Sequence, residues 1–419
     1  MFNKKIASPL FAAIAAFLTY TVVFGFRKSF TIATYDNIFL WGLNFKTCMV
    51  IFQLFGYMLA KIYGIKFIGE LKLNGRNKII FTLVAISWLS WLMFAIVPAP
   101  YNIIFLFTNG FPLGMLWGVV FSYVEGRKST DFIGAALATS FIFASGFVKT
   151  VGAWLQNNFK ITDFWIPFFT GLVYALPLLL FVFLLEKIAP PTEEDIVARS
   201  KRKPIDKTQR KKIVSEYFIG ICLAIIIYAF VTLVRDIRDN FSAEIWKEMG
   251  YAAKPSLFSS TEIPITIGLL FIIGGLVVIK KSIRAFFIIH VLICLGFIVA
   301  GGSCFLYKHQ LLSGYNFMLL TGLGLYLVYI PFNAVFFERM IASFGIIGNV
   351  GFLIYLADSF GYIGSIGVLI SKEFFKLSTN WTSFFTDTVF YLSIIGVFAT
   401  IGMWLFFKQK HTSILKKIY

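Results

Sequence analysis

Two arginines end long apolar runs, and each stands seven residues after a tyrosine. Arg27 follows Tyr20, and Arg235 follows Tyr228. A guanidinium stays charged at any physiological pH and offers a planar fork of donors that fits the oxygens of a carboxylate or a phosphate. Charged side chains within a membrane are costly, and those that persist generally face a cavity or a partner. The pair therefore indicates an anion-binding site, in which each tyrosine adds a hydroxyl donor or a ring surface.

A second interpretation places both arginines at helix ends, where their side chains reach the lipid headgroups. The matched spacing of tyrosine and arginine in the two halves of the chain favours anion binding over this alternative. Arg238 lies close to Arg235 but lacks that spacing, and we expect it to pair with Asp239 or with an outer loop.

The second apolar run carries a polar stripe. Gln53, Tyr57 and Lys61 are four residues apart, so they share one face of an α-helix. We expect Tyr57 and Lys61 to line the same cavity as the arginines. The alternative for Lys61 is a lysine whose side chain extends to the cytoplasmic face of the membrane.

Lys149 and Asp358 are charged residues inside apolar runs, at matching places in the two halves of the chain. Buried amines and carboxylates change their proton affinity readily, so either residue could contact a substrate or bind a coupled proton. They could equally form ion pairs that open and close, and the pairings to test are Lys149 with Glu262 and Asp358 with Lys61. A purely structural ion pair is the remaining alternative.

Composition places these residues in a membrane protein. The chain has 419 residues, of which 58% are hydrophobic and 14% are charged, with a mean hydropathy of +0.82. Soluble domains are about 25% charged, so a soluble globular enzyme is excluded. In a soluble protein, 38 Lys and Arg against 20 Asp and Glu would suggest nucleic acid. In a membrane protein the basic residues of short loops set the orientation, so the expected partner is the lipid bilayer and not nucleic acid.

The apolar runs predict twelve membrane-spanning helices, six on each side of a polar segment. Most of the basic loop residues fall on one side, which predicts a multi-pass protein of the cytoplasmic (inner) membrane with both termini in the cytoplasm. The predicted helices lie near residues 8–30, 43–65, 79–97, 101–124, 132–155, 165–185, 216–238, 259–280, 285–306, 312–336, 342–370 and 387–407.

Matching residues recur in helices that are six apart. The Tyr–Arg pairs, Lys149 and Asp358, and the two Glu–Arg segments at residues 125–127 and 338–339 share nearly one offset. Such a repeat predicts two parallel six-helix bundles, with the substrate between them near the middle of the membrane. The predicted division is an N-terminal bundle at 1–185, a cytoplasmic linker at 186–215 and a C-terminal bundle at 216–419.

Catalytic and metal-binding patterns are missing from the sequence. The three histidines, His290, His309 and His411, lack convergent partners, and the four cysteines follow neither a metal-binding nor a disulfide spacing. A phosphate-binding loop of the nucleotide-hydrolysing type is also missing. The sequence therefore predicts no enzyme activity, no metal and no cofactor.

Several of these segments resemble the major facilitator superfamily, and in particular its organophosphate/phosphate antiporter branch. Residues 20–30 are similar to the first-helix signature of that branch, and residues 228–235 look like its seventh-helix segment. The resemblance implies that Arg27 and Arg235 bind a substrate phosphate and that Lys61 lines the cavity. Asn109-Gly110 is similar to the fourth-helix pattern. The chain also resembles a related Bacteroidota-type membrane family whose function is uncharacterised.

One departure from the antiporter branch lies in the fifth helix. The branch has a histidine there, whereas this chain offers Ser140, Ser145 and Lys149. The substrate can therefore be anionic without being a sugar phosphate or glycerol phosphate.

The combined expectation is a monomeric secondary transporter that works by alternating access. Its predicted substrate is a small anionic metabolite, expected to be phosphorylated, with inorganic phosphate or a proton as the coupled species. The alternatives are a proton-coupled carrier of a non-phosphate solute and a transporter-like sensor of a ligand.

Overall fold

Long helices make up most of the chain in this computed structural model. The structure describes residues 6–69, 71, 75–127, 129–198, 215–251, 254–344, 350–375 and 380–418. Residues 199–214 of the predicted linker lie outside the described residues.

Six long helices precede the linker. The first begins with a side-chain cap, in which Ser8 accepts a hydrogen bond from the backbone of Phe11, and proline occupies the first helical position. The six are α1 (Pro9–Phe24), α2 (Phe45–Gly69), α3 (Arg76–Ile96), α4 (Ile104–Phe121), α5 (Thr130–Phe159) and α6 (Ile166–Glu186).

Six more long helices follow the linker. The fourth of these is interrupted by a π-helical turn at Phe332–Phe336, directly after Pro331. The six are α7 (Phe218–Asn240), α8 (Ser256–Val278), α9 (Ser282–Lys308), α10 (Gly314–Pro331, the π turn and Phe337–Phe344), α11 (Val350–Phe374) and α12 (Trp381–Ile418).

Short elements join some of these helices. They are a 3-10 helix at Ser29–Ile32, a two-stranded antiparallel sheet of β1 (Phe39–Leu40) and β2 (Leu43–Asn44), a helix at Glu193–Ala198 and a helix at Ser242–Glu248.

Ten helical segments of the described residues are long and apolar enough to cross a membrane, and α1 is a shorter apolar helix of 16 residues. Large apolar side chains point outward from them, and Leu176 and Phe271 are 75% and 78% exposed. An apolar exterior is what lipid requires, because the hydrocarbon core of the bilayer offers no water to polar groups.

The chain divides into two compact units. The first unit comprises Met1–Arg199, Ile237–Ile267 and Ile366–Thr382, so it combines segments from both halves of the sequence. The second unit comprises Ser200–Asp236, Gly268–Ser365 and Ser383–Tyr419. The sequence-based division into 1–185, 186–215 and 216–419 stays a prediction.

Within the first unit, α2 and α4 pack closely through glycine. A Cβ atom at Gly110 would lie 2.4 Å from the carbonyl oxygen of Gln53, and one at Gly114 would lie 2.5 Å from the Cβ of Ala60. Small residues allow helix backbones to approach in this way, which brings polar groups of the two helices within hydrogen-bonding distance.

Replacing Gly110 by alanine is expected to destabilise the protein by about 1–3 kcal/mol, because the added Cβ has no space between α2 and α4. The loss should appear as a lower midpoint of thermal unfolding in detergent. Gly268→Ala is the matched control, since a Cβ at Gly268 meets no atom within 4 Å. Equal midpoints for Gly110→Ala and Gly268→Ala would contradict this account of the packing.

Candidate functional site

Arg27 lies in a tight turn at the end of α1. The backbone N–H groups of Gly25, Phe26 and Arg27 bond to carbonyls three residues earlier, so the helix narrows after Phe24. Gly25 is needed there because a Cβ would lie 2.4 Å from the ring of Tyr174. The predicted helix at 8–30 is therefore longer than the observed α-helix, which gives way to this turn after Phe24.

The guanidinium of Arg27 packs over an aromatic ring from a different helix. Its central carbon lies 4.0 Å from the centroid of the Tyr57 ring in α2, and 5.4 Å from that of Phe24. Tyr20 joins the same group, since its hydroxyl lies 3.4 Å from the hydroxyl of Tyr57. Three of the predicted site residues, Tyr20, Arg27 and Tyr57, are thus together in the first unit.

Buried amides hold the backbone of this turn. The Nε2 of Gln53 donates to the carbonyl of Arg27 at 3.1 Å and to Oδ1 of Asn109 at 2.9 Å. The Nδ2 of Asn109 donates to the carbonyl of Phe26 at 2.9 Å. These bonds satisfy backbone carbonyls that the end of α1 would leave without a hydrogen-bond partner. They also fix the backbone position of Arg27.

Lys61 lies one helical turn beyond Tyr57 on α2. Its Nζ is 5.7 Å from the ring centroid of Trp117 in α4. That Lys61 lines a substrate cavity stays a prediction.

Arg235 occupies α7 in the second unit and has two close partners there. Its central carbon lies 4.0 Å from the ring centroid of Tyr329 in α10, and its Nη2 lies 2.6 Å from Oδ1 of Asp236. The hydroxyl of Ser365 donates to the other oxygen of Asp236 at 3.0 Å. The carboxylate next to Arg235 is therefore held in place and offsets part of the positive charge of the guanidinium.

The two arginines share a geometry that the sequence did not predict. Each lies 4.0 Å from the ring of a tyrosine that comes from another helix, Tyr57 for Arg27 and Tyr329 for Arg235. The tyrosine seven residues earlier contacts that ring: Tyr20 through its hydroxyl, and Tyr228 by stacking at 5.5 Å. Tyr329 carried no signal in the sequence, because its partner is 94 positions away along the chain.

Asp358 and Tyr228 form a buried pair in the second unit. The hydroxyl of Tyr228 donates to Oδ1 of Asp358, and Asn333 from the π turn of α10 contacts the same hydroxyl. Asp358 is 6% exposed and Tyr228 is 2% exposed. The structure thus gives Asp358 a phenol as one partner, and its pairing with Lys61 stays a prediction.

Lys149 belongs to a buried ionic group of the first unit, which we call the Asp239 cluster (Lys28, Ser145, Lys149 and Asp239). The Nζ of Lys28 lies 2.6 Å from Oδ2 of Asp239, and the Nζ of Lys149 lies 2.7 Å from Oδ1. The hydroxyl of Ser145 donates to the same carboxylate. Two ammonium groups therefore share one carboxylate.

Lys149 and Glu262, one of the pairings expected to open and close, each have another direct partner in this structure. Lys149 bonds to Asp239 and to the hydroxyl of Ser242, while Glu262 accepts from Nη1 of Arg238 at 2.6 Å. Glu262 nevertheless interacts electrostatically with Lys149. The α5 backbone comes close to Glu262 at Gly146, where a Cβ would lie 2.7 Å from Cγ of Glu262. The end of α7 thus supplies a direct partner to each of the two residues, Asp239 to Lys149 and Arg238 to Glu262.

A second ion pair lies beside the Asp239 cluster in the first unit. The Nζ of Lys46 lies 2.6 Å from Oε1 of Glu244 and donates to the carbonyl of Thr31 at 2.8 Å. Glu244 lies in the short helix Ser242–Glu248, outside the membrane-spanning segments, and burial raises its pKa, although Lys46 acts in the opposite direction. Among the described residues there is no group of three or more His, Cys, Asp or Glu that could hold a metal ion.

The sequence matches a protein family over most of its length. Residues 29–410 fit the family described as DUF5690, a family of unknown function. The chain belongs to the DUF5690 family. No protein among the curated sequences matches it.

Solved structures show which fold this DUF5690 member has. It is similar to the proton:xylose symporter XylE bound to 6-bromo-6-deoxy-D-glucose, with a TM-score of 0.62, 14% identity and 95% coverage of both chains. It is also similar to a D-xylose-proton symporter, with a TM-score of 0.61, 15% identity, and coverage of 95% of this chain and 97% of the other.

These matches confirm the predicted fold class: an all-α integral membrane protein with twelve transmembrane helices in two pseudo-symmetric six-helix bundles, the major facilitator fold. Membership of the organophosphate/phosphate antiporter branch, and kinship with the Bacteroidota-type family, stay predictions.

Proposed function

We propose that this protein is a secondary transporter that moves a small anion, expected to be a phosphorylated metabolite, across the bacterial cytoplasmic membrane by alternating access. The observation that carries the proposal is the arginine held over a tyrosine ring at 4.0 Å in each unit. The fold supports it, since transporters of this architecture bind substrate near the middle of the membrane. In this proposal the protein is a monomer with both termini in the cytoplasm and has no enzyme activity.

The chemistry of each arginine suits a tetrahedral or planar oxyanion. A ring against one face of the guanidinium limits its motion without using its N–H donors, which lie in the plane of the group. A fixed fork loses less entropy when it binds two oxygens of one anion than a flexible ammonium would. That Arg27 and Arg235 bind one anion together stays a prediction from the sequence.

Asp236 affects how strongly Arg235 would bind an anion. It holds Nη2 of Arg235 at 2.6 Å, so an incoming anion shares the guanidinium with a carboxylate of the protein. This competition weakens binding at Arg235. A transporter benefits from a site of moderate affinity, because it must release its substrate on the other side.

We assign the Asp239 cluster to gating. It joins Lys28 and Lys149 from the first half of the sequence to Asp239 from the second half, all within one compact unit. Alternating access requires that such contacts form in one state and break in another. Glu262 takes part through its bond to Arg238, the residue before Asp239.

Exchange of radiolabelled inorganic phosphate in proteoliposomes tests the proposed function. Vesicles that contain the purified protein and unlabelled phosphate should accumulate external labelled phosphate faster than protein-free vesicles. Phosphorylated metabolites added outside should compete with the label if they share the site. Accumulation no faster than in protein-free vesicles, together with no competition, would refute transport of a phosphate-type anion.

A further inference from the structure

We propose that Gln53 and Asn109 are positioning residues for Arg27. They hold the backbone from which its guanidinium extends, and so they set the affinity for the anion without having to touch it. The effect on affinity rests on the proposed function, whereas the hold on the backbone rests on contacts within the first unit. Amides between membrane helices commonly serve helix association alone. Here their bonds reach the turn that carries the arginine.

Three buried donors converge on two neighbouring carbonyls of that turn. The Nε2 of Gln53 in α2 donates to the carbonyl of Arg27 at 3.1 Å. The carbonyl of Phe26 accepts from Nδ2 of Asn109 in α4 at 2.9 Å and from Nε1 of Trp91 in α3 at 2.6 Å. A carbonyl oxygen has two lone pairs and can accept both bonds. Because the donors come from three helices, the turn cannot pivot about any one of them.

The two amides have a single favourable orientation. The Nδ2 of Asn109 also donates to the carbonyl of Ser87 at 3.0 Å, and Nε2 of Gln53 also donates to Oδ1 of Asn109 at 2.9 Å. A reversed amide at Asn109 would set its oxygen against two carbonyl oxygens. Exposure is 2% for Gln53 and 0% for Ser87 and Asn109, so water does not compete for these bonds. We call the four residues the turn network: Gln53, Ser87, Trp91 and Asn109.

The helix α2 supplies two of the constraints on Arg27. Gln53 holds its backbone carbonyl, and Tyr57, one helical turn later, places its ring 4.0 Å from the guanidinium. A planar fork binds two oxygens of one anion only from a defined position. A shift of about 1 Å in a positioned group can reduce function about 100-fold. Residues that keep the backbone of Arg27 in place therefore affect how tightly its guanidinium can bind an anion.

The turn network does not share its partners with the Asp239 cluster. Lys28, the residue after Arg27, bonds to Asp239 and to Oδ1 of Asn240, which both follow the linker in the sequence. The turn network contains only residues that precede the linker. When the Asp239 cluster separates, as its assignment to gating requires, the hold on Arg27 can persist. We therefore expect the positioning residues to affect anion affinity on both sides of the membrane.

Asn109→Leu tests the effect on affinity in the phosphate-exchange assay. Leucine has a similar volume and no amide donor, so the KM for external phosphate should rise roughly 10- to 100-fold while the maximal rate changes little. Asn102→Leu is the matched control. Asn102 is also 0% exposed and in the first unit, but its Nδ2 donates to the carbonyl of Phe94 at 2.9 Å and not to the turn.

The control separates positioning from a general loss of stability. Asn102→Leu should lower the midpoint of thermal unfolding and leave the KM for phosphate at the wild-type value. A wild-type KM in Asn109→Leu, or an equal rise of KM in both variants, would overturn the proposal.

Gln53→Met covers the case in which Asn109→Leu does not fold. Methionine is unbranched and of similar length, and it removes the donor to the carbonyl of Arg27 without adding a charge. The KM for phosphate should again rise, and an unchanged KM would overturn the proposal.

Hydrogen–deuterium exchange of the ligand-free protein separates the hold on the backbone from the transport function. The backbone N–H groups of residues 25–28 should exchange roughly tenfold faster in Asn109→Leu than in the wild type, and at the wild-type rate in Asn102→Leu. Unchanged deuterium uptake at 25–28 in Asn109→Leu would overturn the proposal. Faster uptake there, in a protein whose wild type does not exchange phosphate, would refute phosphate transport and leave the positioning of the Arg27 backbone standing.

Discussion

Replacing Arg27 by lysine is expected to lower phosphate exchange by roughly 10- to 100-fold while the protein remains folded. A hydrogen bond to a charged group contributes about 1.5–3 kcal/mol, and each 1.4 kcal/mol is a factor of ten. Lysine keeps the positive charge but lacks the planar fork and cannot pack flat against the Tyr57 ring, which Arg27 does at 4.0 Å. Exchange rates in proteoliposomes, corrected for the amount of inserted protein, measure the effect.

Arg284→Lys is the matched control for this experiment. Arg284 is exposed at the beginning of α9, so the same substitution there should leave exchange unchanged. The midpoint of thermal unfolding should be similar for both variants, which separates lost function from lost structure. Wild-type exchange by Arg27→Lys would contradict the role given to its guanidinium.

Replacing Asp239 by leucine is expected to destabilise the protein by about 3–5 kcal/mol. Removing one partner of a buried ion pair leaves an uncompensated charge, and here both Lys28 and Lys149 would lose their carboxylate. Lys28 and Lys149 have side-chain exposures of 3% and 4%, so water cannot replace Asp239 without rearrangement. A lower midpoint of thermal unfolding in detergent would report the loss.

Asp387→Asn provides the comparison for Asp239. Asp387 pairs with Lys308, but their side chains are 50% and 41% exposed, so the expected loss is about 0–1 kcal/mol. A second variant, Asp239→Leu with Lys149→Met, should regain part of the lost stability because one buried charge is removed. The buried network would have no such role if Asp239→Leu and Asp387→Asn unfolded at the same midpoint.

The helices could be read from the sequence because each one carries its own signal. An apolar run of about 20 residues is what a membrane span requires, and this requirement does not depend on the neighbouring helices. The end of α1 shows the limit of this signal. The sequence predicts a helix as far as residue 30, whereas the N–H groups of Gly25, Phe26 and Arg27 bond to carbonyls three residues earlier and the α-helix ends at Phe24.

Some site residues could likewise be identified from the sequence, and others could not. Arg27, Tyr20 and Tyr57 could be found together because the first two are neighbours along the chain and Tyr57 stood out in a polar stripe. Tyr329, Asn333 and Asp239 were not identified as site residues, although each touches one that was. Their partners lie far away along the chain. The spacing of residues within one helix does not show which face of another helix they contact.

The sequence by itself determined that the chain spans a membrane and how many helices it has and in which order, and it singled out the two arginines that we propose bind an anion. These follow from hydropathy and residue type, which are properties of single segments. The tertiary structure decided which groups share charge: a tyrosine ring under each arginine, one carboxylate between two lysines, and a phenol against Asp358. Those contacts depend on the packing of helices that are distant in the chain, and packing is set by side-chain shape and close backbone approach across the whole unit.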